Sequence, residues 1–389
     1  MKESKIAIII INWNTYQLTF NCLKSLEACS YKNKKVFFVD NGSTDASGDK
    51  IALEFPEMNY IKNEKNEGFT GANNKALKVI LKQNFEYVLL INNDTEVNPN
   101  FLSLLETRMK SDKNLAATQP LILDLPHKKT VWNAGGSFNT FLGLSKTRCK
   151  GVIYKPKLKI QTLTEWISGC CILVKIQAIK EVGLLDNRFF AYFEDVDWSI
   201  RMKNQGYKLG VVPKSIIYHQ SSGSTKKNNT SNEGNLSPYA HYLNVRNHIY
   251  LINKHTFFFN STGSSIYQIL KITSYSIYFI LRGRFEKLKM VNVSADFYFQ
   301  SEWFMLSEDD YLSLQKLIVT LFGKNLPAKS EYLFLKNSPI QLPDYSFEEL
   351  VLIKPTTVSH ENISLLLKAF KLAKFQNFLS NLIMTESQD

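Results

Sequence analysis

The sequence predicts an α/β fold with a mostly parallel central sheet, followed by a mainly helical extension. In the first 120 residues, short apolar runs typical of buried strands alternate with amphipathic segments of helical spacing. Such alternation is typical of a parallel sheet whose faces are covered by helices. The expected strands are Ile6–Ile11, Val36–Val39, Met58–Ile61 and Tyr87–Ile91, and the expected helices between them are Leu18–Ala28, Ala46–Glu54 and Gly71–Gln83.

The pattern resumes after an irregular, basic stretch at residues 121–164. A strand near Cys170–Lys175 and a short helix before Gly183 come first. A helix beginning near Glu194 should end at Gly206, because glycine favours the left-handed conformation that closes a helix. Further expected elements are strands at Lys208–Val212 and Ile216–His219, a polar loop at 221–237, and helices from about Tyr239, near 307–322 and near 359–382.

Length and charge divide the chain into two parts. The 389 residues carry a formal net charge of +12, and their 44% hydrophobic content excludes a largely disordered chain. Residues 256–389 carry 13 basic and 13 acidic side chains, whereas residues 1–255 carry 34 and 22. We therefore expect a first domain at 1–255 that meets an anionic partner, and a neutral extension at 256–389.

The cysteines and apolar runs favour a cytoplasmic protein. Five cysteines without paired spacing suggest neither a zinc site nor a disulfide framework. The run Ile6–Ile11 is too short for the core of a signal peptide. An amphipathic helix is expected near residues 264–290, with Arg282 and Arg284 at its end. It either packs on the first domain or lies on an anionic membrane surface, at the inner face of the cytoplasmic membrane.

Polar side chains stand at the ends of three predicted strands. Asn14 follows the first strand, Asp40 ends the second, and Asn92-Asn93-Asp94 closes another. Ligands of open α/β sheets bind in the crevice beyond the carboxyl ends of the strands. Asp and Asn are also common turn residues, but three such positions together favour one convergent ligand site.

Five motifs occur in a fixed order across residues 6–219. They are Ile8-Ile9-Ile10-Ile11-Asn12-Trp13-Asn14; Val39-Asp40-Asn41-Gly42-Ser43; Asn66-Glu67-Gly68-Phe69 with Gly71 and Asn73; Leu90-Ile91-Asn92-Asn93-Asp94; and Tyr192-Phe193-Glu194-Asp195-Val196-Asp197-Trp198. Together they resemble family 2 glycosyltransferases with the GT-A fold, and in particular bacterial rhamnosyltransferase-like enzymes of surface polysaccharide assembly. The resemblance covers roughly residues 5–255.

The resemblance implies a set of donor-binding residues. Asp40 would accept a hydrogen bond from N3–H of uracil or thymine, with Asn14 near the same nucleoside. Gly68 would allow close approach of the donor. The other residues implied on the donor side are Gly71, Asn73, Asn92, Asn93 and Arg246.

It also implies a metal site and a catalytic carboxylate. Asn92 replaces the first acidic residue of the family's metal-binding motif, which leaves Asp94 as the clear carboxylate ligand, with His219 completing the site. The expected ion is Mn or Mg, because carboxylate ligation suits these ions. Asp195 would be the general base of an inverting transfer. Trp166, Gly169 and Glu194 would lie on the acceptor side. Trp166 either stacks on a sugar face or is an ordinary core tryptophan.

Two acid-free stretches carry much of the positive charge. Eight basic residues lie between Asp124 and Glu165, and six lie between Trp198 and Asn232. They suit a lipid-diphosphate acceptor at an anionic membrane, or form a solvated face. Nucleic acid is disfavoured because no binding module accompanies them.

The sequence therefore predicts a metal-dependent inverting glycosyltransferase. It would move a sugar from a UDP- or dTDP-sugar to a glycan or lipid-linked acceptor. One alternative is a catalytically silent binding module that recruits assembly partners. The other is a nucleotide-sugar nucleotidyltransferase, although the phosphate loop expected for that class is missing. The extension is a candidate for oligomerisation, acceptor docking or membrane contact.

Overall fold

A computed structural model gives the architecture of two separate units. It describes residues 3–125, 128–220, 237–255, 261–285, 287–291, 305–306 and 351–352. The first unit is Met1–His255 and the second is Thr256–Asp389. Each unit is described by itself.

The first unit is built on one large twisted sheet. The strands of the first unit are β1 (Ile6–Asn12), β2 (Lys34–Asp40), β3 (Asn59–Lys62), β4 (Tyr87–Asn92), β5 (Thr95–Val97), β6 (Leu115–Asp124), β7 (Val131–Asn133), β8 (Gly136–Asn139), β9 (Leu144–Thr147), β10 (Leu163–Thr164), β11 (Cys171–Lys175) and β12 (Lys208–His219). The order across the sheet is β10-β12-β6-β11-β4-β1-β2-β3, with β5 on β12 and β7 on β6, while β8 and β9 form a separate hairpin. Strands β3, β2, β1 and β4 pair in parallel, as do β6 and β12. Because β11 runs antiparallel to both β4 and β6, the parallel group β3-β2-β1-β4 and the parallel pair β6-β12 run in the same direction.

Helices cover the sheet on both faces. They are α1 (Tyr16–Glu27), α2 (Ser47–Glu54), α3 (Gly68–Ile80), α4 (Phe101–Ser111), α5 (Ile176–Val182), α6 (Glu194–Asn204) and α7 (Pro238–His255). Along β1 the side chains alternate between two apolar clusters: Ile8 and Ile10 lie in the cluster with α1, and Ile9 lies in the cluster with α3. A central parallel strand buried on both faces must be apolar throughout, which explains the isoleucine run.

The predicted fold class is confirmed. The expected strands up to residue 92 and helices α1, α2 and α3 are present within a few residues of their expected bounds. Helix α6 is followed by Gly206 with φ of +80°, as the predicted left-handed cap requires.

Several elements differ from the sequence-based expectation. Strand β6 and helix α4 were not expected, although β6 is a fully paired central strand. The two strands expected at Lys208–Val212 and Ile216–His219 form the single strand β12, with an irregularity between Val212 and Ile216 that accommodates Pro213. The polar loop at 221–237 and the helices near 307–322 and 359–382 lie outside the described residues, apart from Ser237.

The described part of the second unit consists mainly of helix α8 (Ser261–Leu281). Two short strands, β13 (Met305–Leu306) and β14 (Val351–Leu352), pair antiparallel. Among the residues that the structure describes, no helix combines the length and apolar character needed to cross a membrane.

Candidate active site

A polar network joins the carboxyl ends of β2, β1 and β4. Asn12 Nδ2 lies 3.4 Å from Asp40 Oδ1, and Asn12 Oδ1 accepts a 2.8 Å hydrogen bond from Thr19 of α1. Asn93 Nδ2 donates to the same Thr19 hydroxyl at 2.7 Å and to Thr15 at 2.7 Å. The strand ends therefore converge on one edge of the sheet, as expected. The side chain of Asn93 faces α1, so it ties β4 to this helix.

The Asp40 carboxylate is buried in a pocket built by its neighbours. Ser43 donates to Asp40 Oδ1, and Asn12 in turn donates to Ser47 at 2.8 Å. The other side of the carboxylate lies directly on Gly48, where a Cβ atom would overlap Cγ and Oδ2 of Asp40. The missing side chain at the start of α2 is therefore required by the position of Asp40.

Asn14 joins the loop after β1 to the loop after β2. Its backbone N–H donates to Ser43 Oγ at 3.1 Å, and its Oδ1 accepts from the N–H of Thr44 at 2.8 Å. Asn14 adopts φ of +53°, a left-handed conformation that asparagine tolerates better than most residues. Asn14 and Asp40 thus share the contact residue Ser43, which places both beside one recess.

We expect Gly48→Ala to weaken nucleotide binding by displacing Asp40. A hydrogen bond to a charged group contributes about 1.5–3 kcal/mol, so the affinity for UDP or dTDP should fall by roughly tenfold or more. Alanine is otherwise favoured over glycine inside a helix. Isothermal titration calorimetry with each nucleotide measures the change, and Lys50→Ala in the same helix is the matched control. If Gly48→Ala binds UDP and dTDP as tightly as the unaltered protein, Asp40 does not contribute to nucleotide binding.

The segment before α3 is held by Asn41 and packs on another part of the chain. Asn41 Nδ2 donates to Asn66 Oδ1 at 2.8 Å, and its Oδ1 accepts from the N–H of Glu67 at 3.0 Å. Gly68 adopts φ of +71°, and a Cβ there would come within 2.5 Å of the Phe190 ring. The close approach that Gly68 allows is therefore to Phe190 of the chain itself.

The neighbouring predicted donor residues also make internal contacts. A Cβ on Gly71 would meet the side chain of Glu67, and Asn73 Nδ2 donates to the Phe69 carbonyl at 2.9 Å. The N–H of Thr70 donates to the Phe190 carbonyl at 3.1 Å. This segment thus links the Asp40 side of the site to the segment around Phe190, and its donor role stays a prediction.

Asp94 and His219 form a buried pair at the same edge. His219 ends β12, and its Nε2 lies 3.1 Å from Oδ1 of Asp94. Burial lowers the pKa of His219, but neighbouring Cys170 and Asp94 outweigh it and raise the pKa to about 10, so a cation bound here would have to displace the imidazole proton. Within the described residues, neither Asp94 Oδ1 nor His219 Nδ1 has a hydrogen-bond partner of good geometry. The Trp132 ring packs edge-on against His219 at 4.4 Å.

This pair fits the ligand set of a divalent cation. Neighbouring ligands of an octahedral ion at about 2.1 Å lie roughly 3 Å apart, which matches the spacing of the two side chains. The structure brings together two such ligands, and among the described residues no group of three or more His, Cys, Asp or Glu side chains could hold a metal. A Mg²⁺-type site completed by substrate phosphates and water needs only one or two protein carboxylates. Asn92 lies at the end of β4 with its N–H bonded to the Cys170 carbonyl at 2.9 Å.

Asp195 lies at the start of α6 and is held by backbone amides. The N–H of Gly169 donates to Asp195 Oδ2 at 2.9 Å, and the N–H of Val196 donates to Oδ1 at 2.8 Å. Desolvation of this half-buried side chain raises its pKa in spite of these hydrogen bonds. Because Gly169 directly precedes Cys170, which contacts β4, Asp195 belongs to the same sheet edge.

Glu194 has a different environment. Its side chain is buried, and Oε2 has no hydrogen-bond partner among the described residues. Burial, reinforced by the neighbouring Asp195 charge, raises the pKa of Glu194 well above its usual range. Burial therefore raises the pKa of both neighbouring carboxyl groups, and Glu194 is the more deeply buried of the two.

The segment that leads into Asp195 is strained. Phe190, Tyr192 and Phe193 adopt φ values of +62°, +73° and +69°. Each left-handed non-glycine residue costs about 1–3 kcal/mol and persists only where its surroundings impose it. Strained backbone of this kind concentrates at functional sites.

Asn247 of α7 holds this strained segment in place. The side chain is fully buried, and its Nδ2 lies 2.7, 2.7 and 2.8 Å from the carbonyl oxygens of Phe189, Ala191 and Tyr192. The adjacent Arg246 guanidinium donates to the carbonyls of Arg188 and Phe189. Arg246 was predicted on the donor side; these contacts direct its guanidinium to the backbone before Asp195.

A buried ion network fixes α6 to α7. The fully buried Asp197 pairs with Arg201 at 2.9 Å, Lys254 at 2.8 Å and His255 at 2.7 Å. Burial raises the pKa of Asp197, but these three partners outweigh it and lower the pKa. The helix that carries Asp195 is therefore anchored at its first turn.

Trp166 lies in the core. It packs with Phe189, Val196 and Leu251, its Nε1 donates to the Ser137 carbonyl at 3.3 Å, and only 7% of it is exposed. So little exposed surface leaves no ring face for a sugar. The expected stacking of Trp166 on an acceptor is not supported. Trp166 is a core residue three positions before Gly169.

We expect Asn247→Ala to lower kcat with little change in donor affinity. The substitution removes the Asn247 donor from the carbonyls of Ala191 and Tyr192, while Phe189 keeps its contact with Arg246. The loss costs about 1–3 kcal/mol and lets the strained segment relax. Steady-state kinetics below the unfolding temperature would show the loss in kcat rather than KM. Asn244→Ala is the matched control, because Asn244 donates only to the Ala240 carbonyl of its own helix. Equal kcat in the two variants would remove the positioning role of Asn247.

Several residues of the site were not predicted as such from the sequence. Gly48, Ser43 and Asn12 form the surroundings of Asp40, and Asn247 holds the segment before Asp195. Ser43 and Asn12 belong to motifs already recognised. Asn247 adjoins Arg246, whose segment was predicted on the donor side, whereas Gly48 has no local signal because its partner Asp40 lies across a turn.

A mostly parallel sheet carries, at one edge, a buried aspartate recess, an Asp–His pair and a half-buried carboxylate. Residues 7–183 match the family model described as Glycosyl transferase family 2. The fold and this match together support a glycosyltransferase.

Relatives with assigned names include two rhamnosyltransferases. The chain is 24% identical over 252 residues to an N-acetylglucosaminyl-diphospho-decaprenol L-rhamnosyltransferase of Mycobacterium tuberculosis, covering 60% of this chain and 80% of the relative. It is 21% identical over 252 residues to the dTDP-rhamnosyl transferase RfbF of Shigella flexneri, covering 65% and 81%. The crystal structure of GalNAc-T7 with UDP, GalNAc and Mn²⁺ aligns with a TM-score of 0.47 and 17% identity. That alignment covers 64% of this chain and about half (48%) of GalNAc-T7.

Proposed function

We propose that the protein is an inverting, divalent-cation-dependent glycosyltransferase that uses a UDP- or dTDP-sugar. One observation carries the proposal: the Asp40 recess, the Asp94–His219 pair and the Asp195 carboxylate occupy one edge of one sheet. In a sugar transfer, the Asp40 recess would bind the base, the Asp94–His219 pair would serve the diphosphate, and Asp195 would act on the reacting hydroxyl.

The nucleoside is assigned to the recess around Asp40. A carboxylate accepts hydrogen bonds, and N3–H of uracil and thymine is a donor, whereas N3 of cytosine is an acceptor. Ser43 and Asn12 fix Oδ1 of Asp40, so the base is assigned to the remaining acceptor capacity of this carboxylate.

Asp94 and His219 are assigned to a divalent cation. When bound, Mn²⁺ or Mg²⁺ would neutralise charge that develops on the diphosphate leaving group. Asn92 and Asn93 stand beside this pair at the end of β4. Asn93 donates to α1 and thereby fixes the turn that carries Asp94.

Asp195 is assigned as the general base. An inverting transfer needs one carboxylate that removes the proton of the acceptor hydroxyl as it attacks the anomeric carbon. The N–H groups of Gly169 and Val196 fix both oxygens of Asp195. A general base with a raised pKa is a stronger proton acceptor at neutral pH than an exposed aspartate.

The acceptor class is proposed from the named relatives. The name of the Mycobacterium tuberculosis relative specifies a lipid-linked diphosphate acceptor, and that of the Shigella flexneri relative specifies a dTDP-linked donor. By analogy, we assign this protein to surface polysaccharide synthesis on a glycan or lipid-linked acceptor, at the inner face of the cytoplasmic membrane.

A nucleotide panel tests the donor assignment. Thermal unfolding is measured with UDP, dTDP, CDP and GDP, each with and without Mn²⁺. The proposal expects stabilisation by UDP or dTDP that increases with Mn²⁺, because a ligand that binds only the folded state raises the unfolding temperature. Equal responses to all four nucleotides, or none, would contradict it. Binding without turnover of any sugar would instead favour a catalytically silent module.

A further inference from the structure

Helix α8 has a buried side and an opposite, exposed side that is rich in aliphatic residues. The buried side includes Ile272 and Phe279 together with the polar Gln268. The opposite side presents six aliphatic residues with 41–79% of their surface exposed: Ile266, Ile269, Leu270, Ile277, Ile280 and Leu281. We call these six residues the α8 apolar face. Because they recur at intervals of three, four and seven, they form one continuous stripe.

Such a stripe requires an explanation. A contiguous exposed apolar patch marks an interaction surface. In the first unit, the exposed apolar residues Leu53 and Val79 lie on different helices, α2 and α3. Single exposed apolar residues are ordinary.

The charges around α8 favour an anionic lipid surface as the partner. The sequence from residue 234 to 285 contains no acidic residue. Arg282 and Lys289 follow the helix and are exposed, and Arg284 is half-buried. The guanidinium groups of Arg282 and Arg284 lie 6.0 and 5.2 Å from the centre of the Tyr278 ring, itself 44% exposed. Aromatic residues beside cations are typical of the interface between lipid headgroups and acyl chains.

We propose that the α8 apolar face lies on the surface of an anionic bilayer, with Arg282 and Lys289 at the lipid phosphates. The helix is not apolar enough to cross a membrane, whereas an apolar stripe flanked by cations suits the interface. This inference rests on the proposed function only in that a lipid-linked acceptor requires an enzyme at the membrane.

Co-sedimentation with vesicles tests the proposal. The full chain is mixed with vesicles of phosphatidylcholine alone or of equal parts phosphatidylcholine and phosphatidylglycerol. We expect binding to the mixed vesicles that decreases with salt. The double variant Leu270→Glu/Ile277→Glu should bind at least about tenfold more weakly. Leu53→Glu/Val79→Glu, which adds the same charge at single exposed positions, should bind like the unaltered chain.

A second variant keeps the test decisive if the first one unfolds. Arg282→Gln/Lys289→Gln leaves the apolar face intact and should weaken binding to the anionic vesicles by about fivefold for each cation removed. The proposal is overturned if the unaltered chain stays in the supernatant, or if both variants bind as it does. A change from dimer to monomer in light scattering without vesicle binding would assign the face to a second copy.

Donor turnover in vesicle-free solution separates this inference from the proposed function. Turnover that continues in a chain that does not bind vesicles removes only the membrane contact. Vesicle binding by a chain without turnover removes only the proposed function.

Discussion

Replacing Asp195 by Asn is expected to lower kcat by about 10²- to 10⁴-fold while leaving donor affinity nearly unchanged. The amide oxygen can still accept the N–H of Gly169, so the start of α6 keeps its position. The amide cannot take a proton from the acceptor hydroxyl. Single-turnover transfer with calorimetric donor binding separates the two quantities.

The neighbouring carboxyl group supplies the sharpest control. Glu194 is buried and its pKa is raised well above the usual range, and Gln has nearly the same shape as the protonated carboxyl group. Glu194→Gln should keep much more activity than Asp195→Asn. Asp112→Asn changes a half-buried residue that pairs with the exposed Lys208 at 3.8 Å, and this variant should behave as the unaltered protein. If Glu194→Gln were the inactive variant, the base would be assigned to the wrong carboxylate.

The pH dependence follows from the raised pKa of Asp195. A general base works only when it is deprotonated, so kcat/KM should fall as the pH drops through its pKa. Because burial raises this pKa, the acid limb should lie above the usual range of an exposed aspartate. In Asp195→Asn this limb should disappear from the residual rate.

Replacing Asp94 by Asn, or His219 by Gln, is expected to remove the dependence of transfer on Mn²⁺. Loss of one group that stabilises charge in a transition state typically costs about 10²–10³-fold in kcat. Each substitution keeps the approximate volume of the side chain at this buried position. Transfer rates across a Mn²⁺ titration, together with electron paramagnetic resonance of bound Mn²⁺, measure both effects.

The control for this second prediction lies two residues along the chain. Glu96 pairs with Lys128 at 3.2 Å, whereas Asp94 pairs with His219. Glu96→Gln should retain both Mn²⁺ binding and activity. A metal response of Asp94→Asn equal to that of Glu96→Gln would contradict the assignment of the Asp–His pair.

The meeting of polar residues at one edge of the sheet could be predicted from the sequence for a physical reason. The carboxyl ends of parallel strands meet on one side, so Asp40 and Asn93 had to converge once β1, β2 and β4 were assigned. Asp195 was assigned from a resemblance, and the structure places it on the same edge through the N–H of Gly169.

Other features depend on contacts between distant residues and had no local signal. Strand β6 contains Gln119 and Pro120 and was missed as a strand, although β11 and β12 enclose it. Trp166 has the sequence context of an acceptor residue but is buried against Leu251 of α7. The hydrogen bonds from Asn247 to the strained segment span more than fifty residues.

The most direct test of the central claim measures release of UDP or dTDP from a panel of UDP- and dTDP-sugars. The unaltered protein and Asp195→Asn are compared with and without Mn²⁺, in the presence of lipid-linked acceptors. We expect UDP or dTDP to be released from at least one donor sugar. This release should require the divalent cation and should be lost in Asp195→Asn. Release that is equal in the two proteins, or absent with every donor, would contradict it.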